Sequence, residues 1–242
     1  MSIPRASVTA LLVIVGATSL PGCYYSVPTS RFDDFEFPVP DYPILVMRPD
    51  LKSYKVTGGG LSIMQMELTE DSKQNLRKAA DAFASKHRLT FVYADSGSPP
   101  TQIEADYARL YAIVSLAIEQ SYFNAKLPHK AGYFDWSLGP GVAPLAEAFR
   151  ANYALFITYR GYRSTIGRQI VSTATTVVGS FTGFPMILGP LNSSGLACLV
   201  DLRSGDIVWA NRLRVQLSNL DDQQDARHIV DNLLKGFPKV KG

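Results

Sequence analysis

Two apolar runs near the C-terminus constrain the fold of this chain more than any other feature. Residues 196–202 and 207–213 are rich in branched apolar side chains, and the polar segment Arg203-Ser204-Gly205-Asp206 separates them. Two such runs joined by a short turn with glycine predict a β-hairpin. Residues 154–160 predict a neighbouring strand of the same sheet. Because side chains alternate along a strand, Cys198 and Val200 are expected to share one face.

Strands and helices alternate along the rest of the chain. Apolar runs at 44–47 and 89–93 predict two further strands, and residues 50–68, with Gly58-Gly59-Gly60 in the middle, predict a long loop. This order predicts an α/β fold: a mixed sheet of about five strands covered by helices, in a single domain spanning residues 44–242.

The predicted helices carry recognisable start signals. Thr69 is expected to cap a first helix that ends near Lys86, and Thr101-Gln102-Ile103-Glu104 forms a capping box ahead of a second helix. Residues 144–149 predict a third helix. Asp221 is expected to cap the last helix, which ends before Gly236 and Pro238.

The N-terminus has the composition of a bacterial export signal. Arg5 supplies a positive start, residues 8–15 supply an apolar core, and small residues follow. The apolar stretch is shorter than the roughly 20 residues that a membrane-spanning helix needs. Residues 1–22 are therefore predicted to be a signal peptide that is removed.

The tetrapeptide Leu20-Pro21-Gly22-Cys23 resembles the lipobox, the processing site of bacterial lipoproteins. This resemblance implies that Cys23 becomes the acylated N-terminus of the mature chain, and two acyl tails already anchor a protein stably where one does not. Tyr24 stands where an aspartate would direct inner-membrane retention. The resemblance therefore implies an outer-membrane anchor facing the periplasm. The Pro-rich residues 23–43 are expected to form a lipidated tether, although their aromatic side chains leave open that part of the segment lies on the domain.

A second resemblance concerns the distal half of the chain. The segment Ala151-Asn152-Tyr153-Ala154-Leu155-Phe156 and the hairpin around Arg203 to Trp209 are similar to envelope domains of the CsgG, LpoB and TolB N-terminal type. Trp136-Ser137-Leu138-Gly139-Pro140-Gly141, together with residues 160–168, more closely resembles a group of uncharacterised proteobacterial outer-membrane lipoproteins. These resemblances imply a fold and an envelope location, and they bring no reaction with them.

Composition and motifs argue against several classes of function. Acidic residues nearly balance basic ones, with a formal charge of +3, and no dense basic run appears, so nucleic acid is not an expected partner. The chain has no nucleophile elbow, P-loop, zinc-protease motif or Cys-x-x-Cys pair. Neither a metal nor a cofactor is expected, and Cys198 is interpreted as a small buried hydrophobe. A non-catalytic role is the preferred interpretation.

The segment 165–194 is the region that composition explains least. It is nearly free of charge after Arg168, and a helix would place Val177 and Phe181 on its apolar face, although two strands would also fit the pattern. Three roles stay open: a flap on its own domain, an interface with a partner or a second copy, and membrane insertion. Trp136, which lies in an aromatic loop, is the other candidate for partner contact.

Two functional hypotheses follow. The preferred one is an outer-membrane lipoprotein that binds another envelope protein or its own copies as an assembly, activation or secretion accessory. The alternative is a cell-envelope enzyme whose site carries no familiar motif. A pocket surrounded by perturbed carboxylates or histidines would favour the enzyme.

Overall fold

Ten strands and four α-helices make up the described part of the chain. The computed structural model describes residues 23–31, 35–37, 43–95, 97, 99–124, 134–165, 191–216 and 218–240. The strands are β1 Cys23–Ser30, β2 Glu36–Phe37, β3 Ile44–Val46, β4 Asp50–Val56, β5 Ser62–Met64, β6 Phe91–Tyr93, β7 Tyr153–Ser164, β8 Asn192–Asp201, β9 Ile207–Gln216 and β10 Lys239–Val240. The helices are α1 Met66–His87, α2 Gln102–Ile118, α3 Ala143–Phe149 and α4 Gln223–Leu233.

Eight of these strands form one mixed sheet in the order β1-β9-β8-β7-β3-β6, with β4 also on β7 and β5 on β4. The start of β7 pairs in parallel with β3, and residues 158–164 of the same strand pair in parallel with β4. The pairs β7–β8, β8–β9 and β9–β1 are antiparallel. The predicted α/β class and the predicted neighbours 154–160, 196–202 and 207–213 are confirmed, although the sheet has more strands than the expected five.

Helices cover both faces of the sheet because its central strands are apolar on both sides. Leu199 and Tyr159 contribute to a first buried cluster, under α1 and α4, whereas Phe156, Cys198 and Val200 contribute to a second, under α2 and α3. Cys198 and Val200 therefore share a face, as predicted.

Thr101 is the N-cap of α2, as its sequence motif predicts. The Thr101 hydroxyl accepts a hydrogen bond from the Glu104 backbone N–H at 3.3 Å and donates one to the Glu104 carboxylate at 3.0 Å. The third predicted helix is α3. For the last helix the prediction is one residue off: Asp222, not Asp221, accepts the backbone N–H groups of Gln224 and Asp225.

The predicted loop over residues 50–68 is wrong. Strands β4 and β5 form a hairpin there, with the glycines at its turn. The sequence of β4 does not show a clear alternation of apolar and polar residues, because the buried residue Ser53 is polar. Its hydroxyl is hydrogen-bonded to the Ser72 hydroxyl at 3.1 Å. Helix α1 also begins earlier than predicted: Thr69 lies in its first turn, and its hydroxyl donates to the Gln65 carbonyl at 2.8 Å.

The structure also differs from the predicted tether. Residues 23–30 form β1, an edge strand that pairs along its full length with β9. Proline at position 28 is compatible with an edge strand, because one side of such a strand needs no ladder donors. Tyr24 explains part of the pairing: it packs against the first apolar cluster, and its hydroxyl donates to the Ser218 hydroxyl oxygen at 3.0 Å.

Candidate functional site

Cys23 lies at the outer end of the edge strand β1. Its Cα partner is Gln216, the last residue of β9, and its side chain is exposed. An exposed side chain at the end of an edge strand is open to modification without disturbing the core. The structure therefore places the predicted lipidation residue at an accessible position, and lipidation itself stays a prediction.

Trp136 lies half-buried against the second apolar cluster. Its carbonyl accepts the Ile207 backbone N–H at 2.9 Å, and the next residues continue along the β8–β9 turn, where the Leu138 N–H donates to the Gly205 carbonyl at 2.8 Å. A Cβ at Gly205 would lie 2.0 Å from the Gly139 carbonyl oxygen, so only glycine fits this contact. Trp136 thus belongs to a segment that is held on the sheet, and its predicted role in partner contact stays a prediction.

Val177 and Phe181 lie outside the described residues, as does most of the segment 165–194. Of that segment, Thr165 donates its backbone N–H to the Val56 carbonyl at 3.0 Å, and residues 192–194 belong to β8. The expectation that the segment is a functional surface therefore stays a prediction.

Two exposed apolar surfaces were missed by sequence reasoning. Helix α2 carries the first, formed by Leu110, Ile113 and Leu116 and called here the α2 stripe; Ile113 is 67% exposed and Leu116 64%. Leu110 contributes less to this surface, because it is 37% exposed. The sequence feature that indicates the α2 stripe is that this helix contains more apolar residues than one helix face can hold.

The second surface lies on the β4–β5 hairpin and on the first residue of α1. Leu61, Ile63, Met64 and Met66, called here the hairpin patch, are all exposed, Met66 to 77%. Among the described strands β5 pairs with β4 alone, and it therefore forms an edge of the described sheet. The sequence feature that indicates the hairpin patch is the run Leu61-Ser62-Ile63-Met64, which directly follows three glycines.

Ionisable groups with shifted pKa values are mostly buried structural residues. Burial raises the pKa of the Cys198 thiol to about 12, so this sulfur is unreactive at neutral pH. Burial also raises the pKa of Tyr111 well above its ordinary value, and its hydroxyl lies 3.3 Å from the carbonyls of Phe156 and Leu196. Within the described ranges no group of three His, Cys, Asp or Glu side chains could hold a metal ion.

Two cavities are lined by residues of α2. One of about 110 Å³ lies between α2 and the sheet, where Arg160 forms an ion pair with Asp50 and also donates to the Asp50 carbonyl at 2.7 Å. Among the described residues that line it there is no histidine or cysteine. Beside the N-terminal half of α2 a groove of about 540 Å³ is lined by residues that include Tyr107, Leu110 and Gly141. The described geometry is suited to binding through apolar surfaces.

Fold and site together define a mixed α/β domain with an exposed cysteine at a sheet edge and two exposed apolar surfaces. In the described part of the chain no helix is long and apolar enough to cross a membrane. No family model and no curated protein matches the chain.

Among solved structures, the chain is similar to a PelC dodecamer from Paraburkholderia phytofirmans, with a TM-score of 0.44 and 10% identity over 90% of this chain and 100% of that one. A leucine-to-methionine variant of the same dodecamer gives a TM-score of 0.43 and 10% identity over 88% of this chain and 96% of the other. Likeness of this size carries no information on activity or assembly.

Proposed function

We propose that this chain is a lipoprotein of the outer membrane, anchored on the periplasmic side through Cys23, and that it acts as a non-catalytic binding, assembly or secretion accessory in the cell envelope. The observation that supports the proposal is the position of Cys23. A residue that receives acyl chains must be accessible and must lie where the chains can leave the fold, and an exposed residue at the end of an edge strand meets both conditions.

The binding role is supported by what the surface offers. The α2 stripe and the hairpin patch present large apolar side chains to solvent, and exposed apolar patches of this kind are typical of interaction sites. Arg160 and Asp50, by contrast, are charged residues that line a cavity and form an ion pair with each other. Trp136, Val177 and Phe181 are the residues proposed to contact an envelope partner or a second copy of the chain.

Labelling with a radioactive fatty acid tests the anchor. The Cys23→Ala variant should lose the label and leave the membrane fraction, because no other residue of the chain is proposed to carry lipid. Cys198→Ala is the matched control: it removes the other cysteine, which is fully buried, and should keep the label. Label that persists in Cys23→Ala would contradict the proposal.

Paired measurements of stability and association test the binding role. Val177→Asp together with Phe181→Asp should abolish self-association or partner capture while the thermal unfolding midpoint stays unchanged. A fall in that midpoint would assign the segment to the core instead, because burying an unpaired charge is costly. Crosslinking in the native envelope, followed by identification of the captured protein, then names the partner. Undiminished association of a folded variant would refute the interface.

A further inference from the structure

The strand register aligns Cys23 with the opposite edge of the sheet. Cys23 is the Cα partner of Gln216, and Gln216 is also the partner of Asn192, the first residue of β8. On the next strand, β7, Arg160 pairs with Ser194 of β8. Because the two strands are antiparallel, Tyr162, two residues further along β7, lies at the level of Asn192. Tyr162 pairs with Tyr54 on β4.

Tyr54 in turn pairs with Met64 on β5. Cys23 and Met64 therefore lie at the same level on opposite edges of the sheet. Five inter-strand steps of about 4.8 Å separate them, a width of about 24 Å. The hairpin turn that precedes β5 extends past this level, which puts Leu61 and Ile63 closer to the end of the sheet than Met64.

Side chains near this level have the chemistry of a membrane–water interface. Tyr25, 61% exposed, pairs with Arg214 on β9, two residues from the Cys23 level, and Arg214 is exposed as well. Exposed Lys55 pairs with Ile63 at the other edge. Tyrosine is enriched at bilayer interfaces, and cations next to a membrane are attracted by anionic headgroups.

One acidic side chain near this end of the sheet is paired with a cation of the same fold. Asp221, which follows β9, is paired with Arg163 of β7 at 2.6 Å. Repulsion between this carboxylate and anionic headgroups is therefore reduced by a partner that the fold supplies.

We propose that this end of the sheet rests on the phospholipid bilayer, with the hairpin patch entering the interfacial region about 24 Å from the acyl anchor. The proposal depends on the lipidation of Cys23 given above. A single acylated residue would let the domain pivot over the membrane. A second contact at the far edge fixes one orientation, in which the β8–β9 turn points away from the bilayer.

Nitroxide labels at opposite ends of the sheet test the orientation. The full-length mature protein is reconstituted into vesicles of phosphatidylethanolamine and phosphatidylglycerol, as Ile63→Cys or as the control Arg203→Cys in the β8–β9 turn. Cys198 is fully buried and Cys23 is blocked by its lipid, so the label attaches at the introduced position. Mass spectrometry establishes the lipid on Cys23 beforehand.

The two positions should respond in opposite ways to paramagnetic reagents. The label at 63 should collide mainly with oxygen, which concentrates in lipid, and lose collisions with a water-soluble nickel chelate. The label at 203 should keep the nickel collisions. Equal nickel collisions at both positions, in protein that carries lipid on Cys23, would overturn the orientation and leave the lipoprotein assignment standing.

Two other outcomes would also overturn the orientation. Shielding of position 63 from both reagents would mean that protein, and not lipid, covers the hairpin patch. Absence of lipid on Cys23 would refute the proposed function together with the orientation that depends on it.

Discussion

Helices α1 and α2 cover opposite faces of the same sheet, yet their outer surfaces differ. Both bury an apolar stripe: α1 through residues such as Leu76 and Phe83, and α2 through Tyr111 and Ile118. Beyond its first residue, Met66, the outward side of α1 is mostly polar or charged, as expected for a helix in contact with water, whereas α2 exposes Ile113 and Leu116 in its second half. Packing onto the sheet accounts for only one apolar face of each helix. The second apolar face of α2 is therefore a feature that folding onto this sheet does not require.

The largest expected effect separates the two faces of α2 itself. Ile118→Ala removes a fully buried side chain and should lower the free energy of unfolding by about 2–5 kcal/mol. Ile113→Ala makes the same chemical change on the α2 stripe and should alter it by no more than about 0.5 kcal/mol. Urea unfolding of both variants checks this. Comparable losses would mean that another part of the protein packs over the stripe, and the contrast with α1 would disappear.

A smaller difference is expected between the ion pairs of the two helices. Arg48 Nε lies 3.4 Å from the Glu104 carboxylate at the start of α2, and this carboxylate is only 6% exposed. Arg48→Met should cost about 1–3 kcal/mol, because it leaves a buried charge with fewer partners. Lys73→Met removes an exposed pair with Glu70 on α1 and should cost less than about 0.5 kcal/mol. Chemical denaturation of the two variants should rank them in this order, and a reversed order would contradict the difference in burial.

The N-caps of the two helices should differ by about 1 kcal/mol. Thr101→Ala removes the side chain that caps α2 and should destabilise the protein by about that amount. Gln65 precedes α1 without a side-chain capping bond, so Gln65→Ala is the matched control and should be close to neutral. Thermal unfolding midpoints of the pair provide the measurement. Equal shifts would show that the Thr101 cap contributes nothing specific.

The smallest effect concerns pH on the α1 side of the sheet. Burial raises the pKa of Asp221 above its ordinary value, although Arg163 opposes the shift. As the pH rises from the ordinary value to the raised one, the unfolded chain loses this proton first, so the free energy of unfolding falls across that window. Asp221→Asn should remove this part of the slope in the window that opens above the ordinary carboxyl pKa of about 4. An unchanged slope would show that the carboxyl does not contribute.

Sequence patterns predicted the elements whose signals are local or strongly apolar. The Thr101 capping box, the hairpin around Gly205 and the common face of Cys198 and Val200 all depend on spacing within a few residues. Strands β1 and β4 were missed because their identity depends on partners far away in the chain. Nothing local in residues 23–30 indicates β9, and Ser53 interrupts the apolar alternation of β4.

The candidate surfaces could likewise be predicted only in part from the sequence. The position of Cys23 in the sequence predicted a modification, but not that the residue would lie at a sheet end level with Met64. Leu110 and Ile113 look alike in the sequence as apolar helix positions, and only the direction in which α2 packs reveals which of them is most exposed. Trp136, a candidate for partner contact, is half-buried because the turn at Gly205 holds its segment on the sheet.

Strand β1 also sets the order in which the chain can finish folding. Its ladder partner is β9, and the bond from Tyr24 to Ser218 joins residues 194 positions apart. Contacts of such long range form late, because closing the intervening loop costs entropy before any pairing is gained. The N-terminal strand therefore joins the sheet only after the C-terminal hairpin has formed. Until then Cys23 belongs to a segment without ladder hydrogen bonds, and its backbone is accessible on both sides.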